Sequence, residues 1–409
     1  MSQAHRPLTQ SAYTLSSRTA SQNVSMPTIS PAAWEHSQTV SAHISRLIGE
    51  SGGVLPFDKY MEHVLYAPGL GYYAAGAVKL GPAGDFVTAP ETGLLFGQCL
   101  ADEVADILGH MPNAAILEFG AGSGRLAEVL IQTLAALNRL PSRYIIIELS
   151  PDLRDRQQRT LAALADKVGV PIEWRDQMPE PGVEAVVIAN EVLDAFPVTR
   201  FRVEKDGVRH AGVREEEQGF SWDWSSPILS QGPEFDVARR FSLAEGYETE
   251  NSPRAMAWVR MLGELLTRGV VLIIDYGYPE EEYFLPDRHK GTLRCHYRHH
   301  AHDDPFVLMG IQDITCHVNF SAVAQAARRS GFEILGYTSQ EAYLLALGLL
   351  DKASHASTDD DRAQLLLASE VKRLVLPSQM GEAFKVMGLG KNWSADLNGF
   401  GLRDRSHRL

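Results

Sequence analysis

The sequence predicts an α/β fold in which a doubly wound, mostly parallel sheet carries helices on both faces. Three observations predict it. Residues 115–119 form a short apolar run that is broken by Gly120, Ala121, Gly122, Ser123 and Gly124. Leu126, Val129, Leu130, Leu134 and Leu137 then recur at helical spacing, so the unit reads strand, tight turn, helix. Strand-like runs at 144–148 and 183–189 continue the alternation around helical text at 151–167. Parallel strands need crossovers of this kind, so alternation of strands and helices implies a parallel sheet.

The elements follow in order. Residues 1–38 are expected to be a disordered tail, because the first acid is Glu35 and Ser, Thr and Gln dominate what precedes it. Residues 39–110 read as an N-terminal helical and loop cover, with helices at 41–51 and 58–65 and a glycine- and tyrosine-rich stretch at 68–84. The core is expected over 111–200 and 253–340, with a strand at 270–275 after helical text at 253–267. Between them, 201–252 is expected to be a β insertion. Short polar and apolar runs around Asp206-Gly207 and Gly219 predict a β-hairpin there. From 320 the text gives a helix and a strand at 332–337. Residues 341–409 are expected to be a C-terminal helical extension with a last strand near 384–387.

Composition narrows the class. A formal net charge of -13 over 409 residues opposes the field of a polyanion, so no nucleic-acid partner is expected. No run approaches the roughly 20 apolar residues of a membrane-spanning helix, so no membrane insertion is expected. Cys99, Cys295 and Cys316 are odd in number and far apart, which argues for a reducing compartment. A cytoplasmic protein of bacterial type is the first expectation and the mitochondrial matrix the alternative. A transit peptide would also be acid-poor and serine-rich, but Arg6 and Arg18 with no amphipathic stripe are a thin match. Nothing in the sequence sets an oligomeric state.

Gly120, Gly122 and Gly124 stand between strand and helix, where bare backbone lets a cofactor approach a helix N-terminus. A dinucleotide fingerprint needs glycine at position 125, and Arg125 stands there, so a nicotinamide cofactor is disfavoured. Glu148 ends the next strand at the separation that suits a carboxylate for two vicinal ribose hydroxyls; capping of the helix after Ser150 is the competing account. Glu118 interrupts an apolar run and is expected to face the cofactor, where it suits an ammonium. Asp176 is a candidate acceptor for an adenine edge, or a solvated loop residue.

Asn190, Glu191 and Asp194 follow the 183–189 strand, at the end where open α/β sheets assemble their sites. A helical turn would stack Asn190 and Asp194 on one face with Glu191 nearby. Such a group could grip a guanidinium, whose planar fork stays charged and must be oriented before one nitrogen can attack. The competing account is a helix N-terminus decorated with acids. Asp275, closing the 270–275 strand, is either another cleft acid or a turn-stabilising aspartate. The histidines and Cys295 within 295–304 tempt a metal assignment, but lack paired ligand spacing, so no metal is expected and a covering loop is preferred.

Together these segments resemble the MidA-like family, which comprises the mitochondrial complex I assembly-factor methyltransferases and their bacterial relatives. The resemblance runs from about Gly52 to Lys391 and is carried by 84–91, 118–124, 148–150, 190–197 and 313–320. Cys316 and Asn319 depart from the alanine and aspartate usual in the last segment. The resemblance implies a class I S-adenosylmethionine methyltransferase fold with S-adenosyl-L-methionine as cofactor. It further implies a protein substrate, with an arginine of a respiratory-complex subunit as the acceptor in the mitochondrial members. On this reading Glu118, Gly120, Ala121, Gly122, Ser123, Gly124, Glu148, Leu149, Asp85, Pro90 and Asn190 bind the cofactor. Glu191, Asp194 and Asn190 are the catalytic set, and Glu91 lies near the acceptor channel. The rival readings are a cofactor-binding assembly chaperone without turnover and a methyltransferase of another protein side chain or a small molecule.

Overall fold

The computed structural model describes residues 27, 29–75, 88–356 and 360–409. The expectations for 1–26 and for Asp85 lie outside the described residues. Seven strands build the central sheet: β1 (Ala115–Phe119), β2 (Tyr144–Ile147), β3 (Ile172–Arg175), β4 (Val183–Asn190), β5 (Leu266–Tyr278), β6 (Glu333–Ser339) and β7 (Phe384–Lys391). Their order across the sheet is β3-β2-β1-β4-β5-β7-β6, with Val318–Asn319 pairing on the end of β5. Neighbours from β3 to β5 run parallel, and β7 runs antiparallel to β5 and β6. The sheet is therefore mixed and mostly parallel, as the alternation predicts.

The helices that position the site are α1 (Pro31–Glu50), α2 (Phe57–Tyr66), α3 (Ala89–Thr92), α4 (Leu95–His110), α5 (Arg125–Ala136), α6 (Pro151–Val168), α7 (Pro253–Leu265), α8 (Phe320–Arg329) and α9 (Asp361–Val375). Successive strand residues point to opposite faces, and both faces are covered. Ile116, Ile146, Ile188 and Leu272 pack with α4 and α5. Leu117, Ile145, Val187 and Ile273 pack with α7 and α8. The strand order reverses between β1 and β4, which opens a crevice beyond their carboxyl ends.

Several boundaries differ from expectation. The last strand is not an appendage of the C-terminal extension. Strand β7 lies inside the sheet, buried along nearly its whole length. Gly388 and Gly390 interrupt its apolar run because the sheet face is crowded there: a Cβ on Gly388 would meet the Phe400 ring at 2.8 Å, and one on Gly390 would meet Leu335 at 2.9 Å. Helix α4, expected within the cover, belongs to the core, with Phe96, Leu100 and Val104 packed in the cluster that holds Ile116.

The expected tail also ends earlier than residue 38. Pro31 sits in the first turn of α1 and the Ser30 side chain accepts the Ala33 N–H at 3.2 Å. Val40, Ile44 and Ile48 then bury one face of that helix. The insertion holds more than one hairpin. Thr199–Glu204, Gly207–His210 and Glu248–Asn251 form one three-stranded sheet, and Leu55–Pro56, Gly212–Glu216 and Gly219–Asp223 form another. The second shares an apolar core with α1 and α2, so cover and insertion pack as one layer. The histidine-rich segment forms a hairpin of Arg294–Tyr297 with His300–His302, joined by Asp313–Thr315. Cys295 and Cys316 are buried in the apolar core of the cover. Among the described residues no group of three His, Cys, Asp or Glu side chains could hold a metal ion, and no helix is long and apolar enough to cross a membrane.

Helices α4 and α5 meet at Gly97, where an added Cβ would stand 2.7 Å from Val129. Gly97→Val overpacks that contact and is expected to lower stability by about 1–3 kcal/mol, read as a lower urea midpoint at unchanged slope.

Candidate active site

The crevice holds a cavity of about 350 Å³ lined by the glycine turn, the ends of β1, β2 and β4, the short helix α3 and one face of α7. Gly120, Gly122 and Gly124 have φ of 60°, 54° and 84°, all in the left-handed region that a side chain disfavours. Glu118 lines the cavity and is nearly fully buried, and the Tyr144 hydroxyl donates to it at 2.7 Å. Burial pushes its carboxyl up to about 7, against that hydrogen bond and with a smaller push from Glu148.

Glu148 accepts from the Ser150 N–H at 2.9 Å and from the Gln157 amide at 2.8 Å. The cap of α6 is Ser150 itself, whose hydroxyl accepts the Leu153 N–H. Gln157, wholly buried, also donates to the Gly122 carbonyl at 3.0 Å, and its own oxygen accepts from the Trp174 indole at 3.1 Å. This one amide ties the glycine turn to the acid on the neighbouring strand. Leu149, although 62% exposed, and Asp176 line the same cavity.

The segment after β4 is not helical. Glu191 has a φ of 54°, and the chain leaves the strand in an irregular loop. The cause is Asp275, fully buried at the end of β5, whose Oδ2 accepts the N–H groups of Val192, Leu193 and Asp194 at 3.2, 2.9 and 3.3 Å. A helix would have turned those amides along its own axis. The turn-stabilising account of Asp275 is therefore the structural one. The predicted shared face of Asn190, Glu191 and Asp194 does not form: Asn190 and Glu191 line the cavity, whereas Asp194 lies behind it, buried and held by the Tyr276 hydroxyl.

Glu191 receives the Asn190 amide at 3.2 Å. Burial first, and then the charge of Asp194, push its carboxyl up to about 8. Burial likewise raises Asp194 to about 6. The charges acting on Glu191 are acidic, from Asp194 and Asp313. Asn190 Oδ1 is buried without a hydrogen-bond partner in the protein.

Aromatic walls close the site. Tyr66 and Tyr73 stack at 5.4 Å; the Tyr66 hydroxyl donates to the Ala195 carbonyl at 2.8 Å and that of Tyr73 to the Asp313 carboxylate at 2.9 Å. Phe196 and Trp258, edge to face, line the same cavity. Pro90 lines the cavity, and Ser123 donates to the Glu91 carboxylate. Tyr66, Tyr73, Gln157 and Trp258 escape sequence reading. A polar residue on the inner face of an amphipathic helix was the available signal for Gln157. The two departures in the 313–320 segment are accommodated: Cys316 uses its backbone N–H on the Asp194 carbonyl at 2.9 Å, and Asn319 caps α8 as an aspartate would.

Residues 99–338 match the family described as "Putative S-adenosyl-L-methionine-dependent methyltransferase". The chain is similar to a superfamily member from Burkholderia thailandensis solved with bound S-adenosyl-homocysteine, at 41% identity and a TM-score of 0.89, covering 94% of this chain and 100% of that one. It is also similar to protein arginine methyltransferase NDUFAF7, mitochondrial, at 28% identity over 383 residues in Mus musculus (83% of this chain, 82% of the relative) and 27% over 381 in Homo sapiens (83% and 81%).

The raised carboxyl of Glu191 has a signed consequence for stability. In the folded chain it keeps its proton up to about 8, while the unfolded chain releases it near 4.5. The folded state therefore binds more protons across that window, and rising pH lowers stability there. Glu191→Gln removes this contribution. Its melting temperature minus that of the parent is expected to become more positive between about pH 5 and about pH 8, and a flat or falling difference would contradict the assignment.

Proposed function

Because the chain belongs to this family of S-adenosyl-L-methionine-dependent methyltransferases, we propose that it methylates an arginine side chain of a protein. The cofactor fits the residues present. The left-handed glycines leave room for close approach at the start of α5, Glu118 and Glu148 offer carboxylates to ammonium and hydroxyl donors, and Asn190 Oδ1 is an acceptor in want of a donor. On this reading Gly120, Ala121, Gly122, Ser123 and Gly124 form the cradle with Leu149 and Pro90 as walls. When bound, the cofactor supplies an electrophilic sulfonium methyl.

The observation that carries the arginine reading is Glu191, held in the cavity among acids. Its carboxylate, steadied by the Asn190 amide, would grip a guanidinium and aim one nitrogen. Pairing with the guanidinium cation would draw off the proton that Glu191 otherwise holds, and the proton released when the nitrogen is methylated would return to that carboxylate, whose burial favours holding one. Asp194 would act from behind as a fixed negative neighbour, itself positioned by Tyr276. The relatives named protein arginine methyltransferase support the acceptor class, and their mitochondrial designation supports the matrix alternative for the compartment.

The test is transfer from methyl-labelled cofactor into a lysate lacking this protein, with the label located by mass spectrometry. Label on arginine is expected, reduced roughly a hundredfold by Glu191→Gln with cofactor affinity retained. Gly122→Val, which forces a β-branched residue to a φ of 54°, is expected to abolish cofactor binding and transfer together. Label on another side chain or a small molecule would discard the arginine acceptor, and tight cofactor binding without transfer would favour the chaperone reading.

A further inference from the structure

The cavity straddles the carboxyl edge of the sheet, and its two sides differ in character. Successive residues of β1 point to opposite faces. Glu118 lies on the face covered by α5, where Tyr144, which donates to it, packs in the cluster that holds Ile116; Glu148 stands beside Gln157 of α6, whose Leu161 packs in that cluster too. Phe119 lies on the face covered by α7. With Ile147, Met178, Val192, Phe196 and Trp258 it belongs to the other cluster, and all six line the cavity. One polar atom on this apolar side has no counterpart: Trp258 is 6% exposed, and its indole N–H is buried without an acceptor among the described residues. Its ring is held edge to face by Phe119 at 5.1 Å and by Phe196 at 6.3 Å. A buried indole N–H ordinarily finds a partner, because a donor left unpaired forfeits its hydration. Because the residue lines the cavity, a bound ligand can supply that acceptor. Asp176, in the loop after β3 that also carries Met178, adds a carboxylate to the wall.

We propose that Trp258 reads the adenine of S-adenosyl-L-methionine, its indole N–H donating to a ring nitrogen of the base. The proposal rests on the cofactor placement given above and divides the cofactor as the cavity is divided. The ammonium and the ribose hydroxyls suit Glu118 and Glu148, which leaves the flat base for the apolar side. Adenine has apolar faces and an edge on which ring-nitrogen acceptors flank an amine donor, so an N–H and a carboxylate on the wall complement it. An indole nitrogen donates and cannot accept. A base that presents C–H or N–H at that point leaves the Trp258 donor buried and unpaired, and this is the physical source of selectivity.

The test uses S-adenosyl-homocysteine and three analogues in which N1, N3 or N7 of adenine is replaced by C–H, with no methyl acceptor, so its outcome is independent of the arginine reading. Binding to the parent and to Trp258→Phe is measured by calorimetry. The analogue that lacks the accepting nitrogen is expected to bind the parent about tenfold more weakly, the loss of one hydrogen bond. Trp258→Phe should bind S-adenosyl-homocysteine about tenfold more weakly and that analogue no more weakly still, because one bond cannot be lost twice. In the intact chain, whether or not the variant folds, the Trp258 indole N–H resonance is assigned by NMR through its contacts with the rings of Phe119 and Phe196. It should move downfield with S-adenosyl-homocysteine and not with that analogue. Glu148→Ala, measured alongside, should weaken all four ligands alike, and no loss there overturns the placement on which the proposal rests. Full affinity in folded Trp258→Phe, losses that add for every analogue, or an indole resonance that the ligand leaves in place overturns the proposal itself.

Discussion

Three backbone amides converge on one oxygen of Asp275, and much of the site depends on that convergence. Burying a carboxylate is costly unless it is hydrogen-bonded, and here Val192, Leu193 and Asp194 supply the donors while the Tyr276 N–H serves the other oxygen. The loop has no comparable alternative. Its amides must face inward to Asp275, so the chain turns sharply at Glu191 and enters the left-handed region there. The same turn sends the Glu191 side chain to the cavity and leaves Asp194 behind it. A carboxylate on one strand thus decides which of two acids beyond the neighbouring strand lines the cavity.

The cofactor half is built by an analogous economy of polar groups. Gln157 has one amide, and all of it is used: a nitrogen shared between Gly122 and Glu148, an oxygen taken by Trp174. The turn and the acid are thereby held in register by a helix that neither belongs to. In both halves the residue that sets the geometry stands one step away from the cavity. Such groups act by restricting their neighbours rather than by touching the ligand.

This explains what could be read from the sequence. Glu118, the three glycines and Glu148 were legible because each sits on a local pattern of strand, turn and helix that dictates its direction. Asn190 and Glu191 were legible by position, at the end of a parallel strand. Their mutual arrangement was not, because spacing alone suggests a helix and the donors that forbid it answer to Asp275, more than eighty residues away. Tyr66, the last residue of α2, and Tyr73, in the glycine-rich stretch after it, follow no period that fixes their direction, and the Tyr73 partner, Asp313, lies 240 residues on. Strand β7 was underestimated because its glycines, which make room for Phe400 and Leu335, read locally as interruptions.

The position of β7 reaches beyond the folded state. Among the described strands of the sheet it comes last in chain order, yet it stands between β5 and β6. Until it arrives, β5 presents a long apolar edge of unpaired backbone groups, and β6, synthesised some fifty residues earlier, has no partner strand to join. Strand β6 therefore cannot join the sheet until β7 has been made, through contacts of large sequence separation that form slowly. Until then the unpaired edge of β5 is an open template for strand addition, so the order of the strands sets how long the growing chain carries that liability.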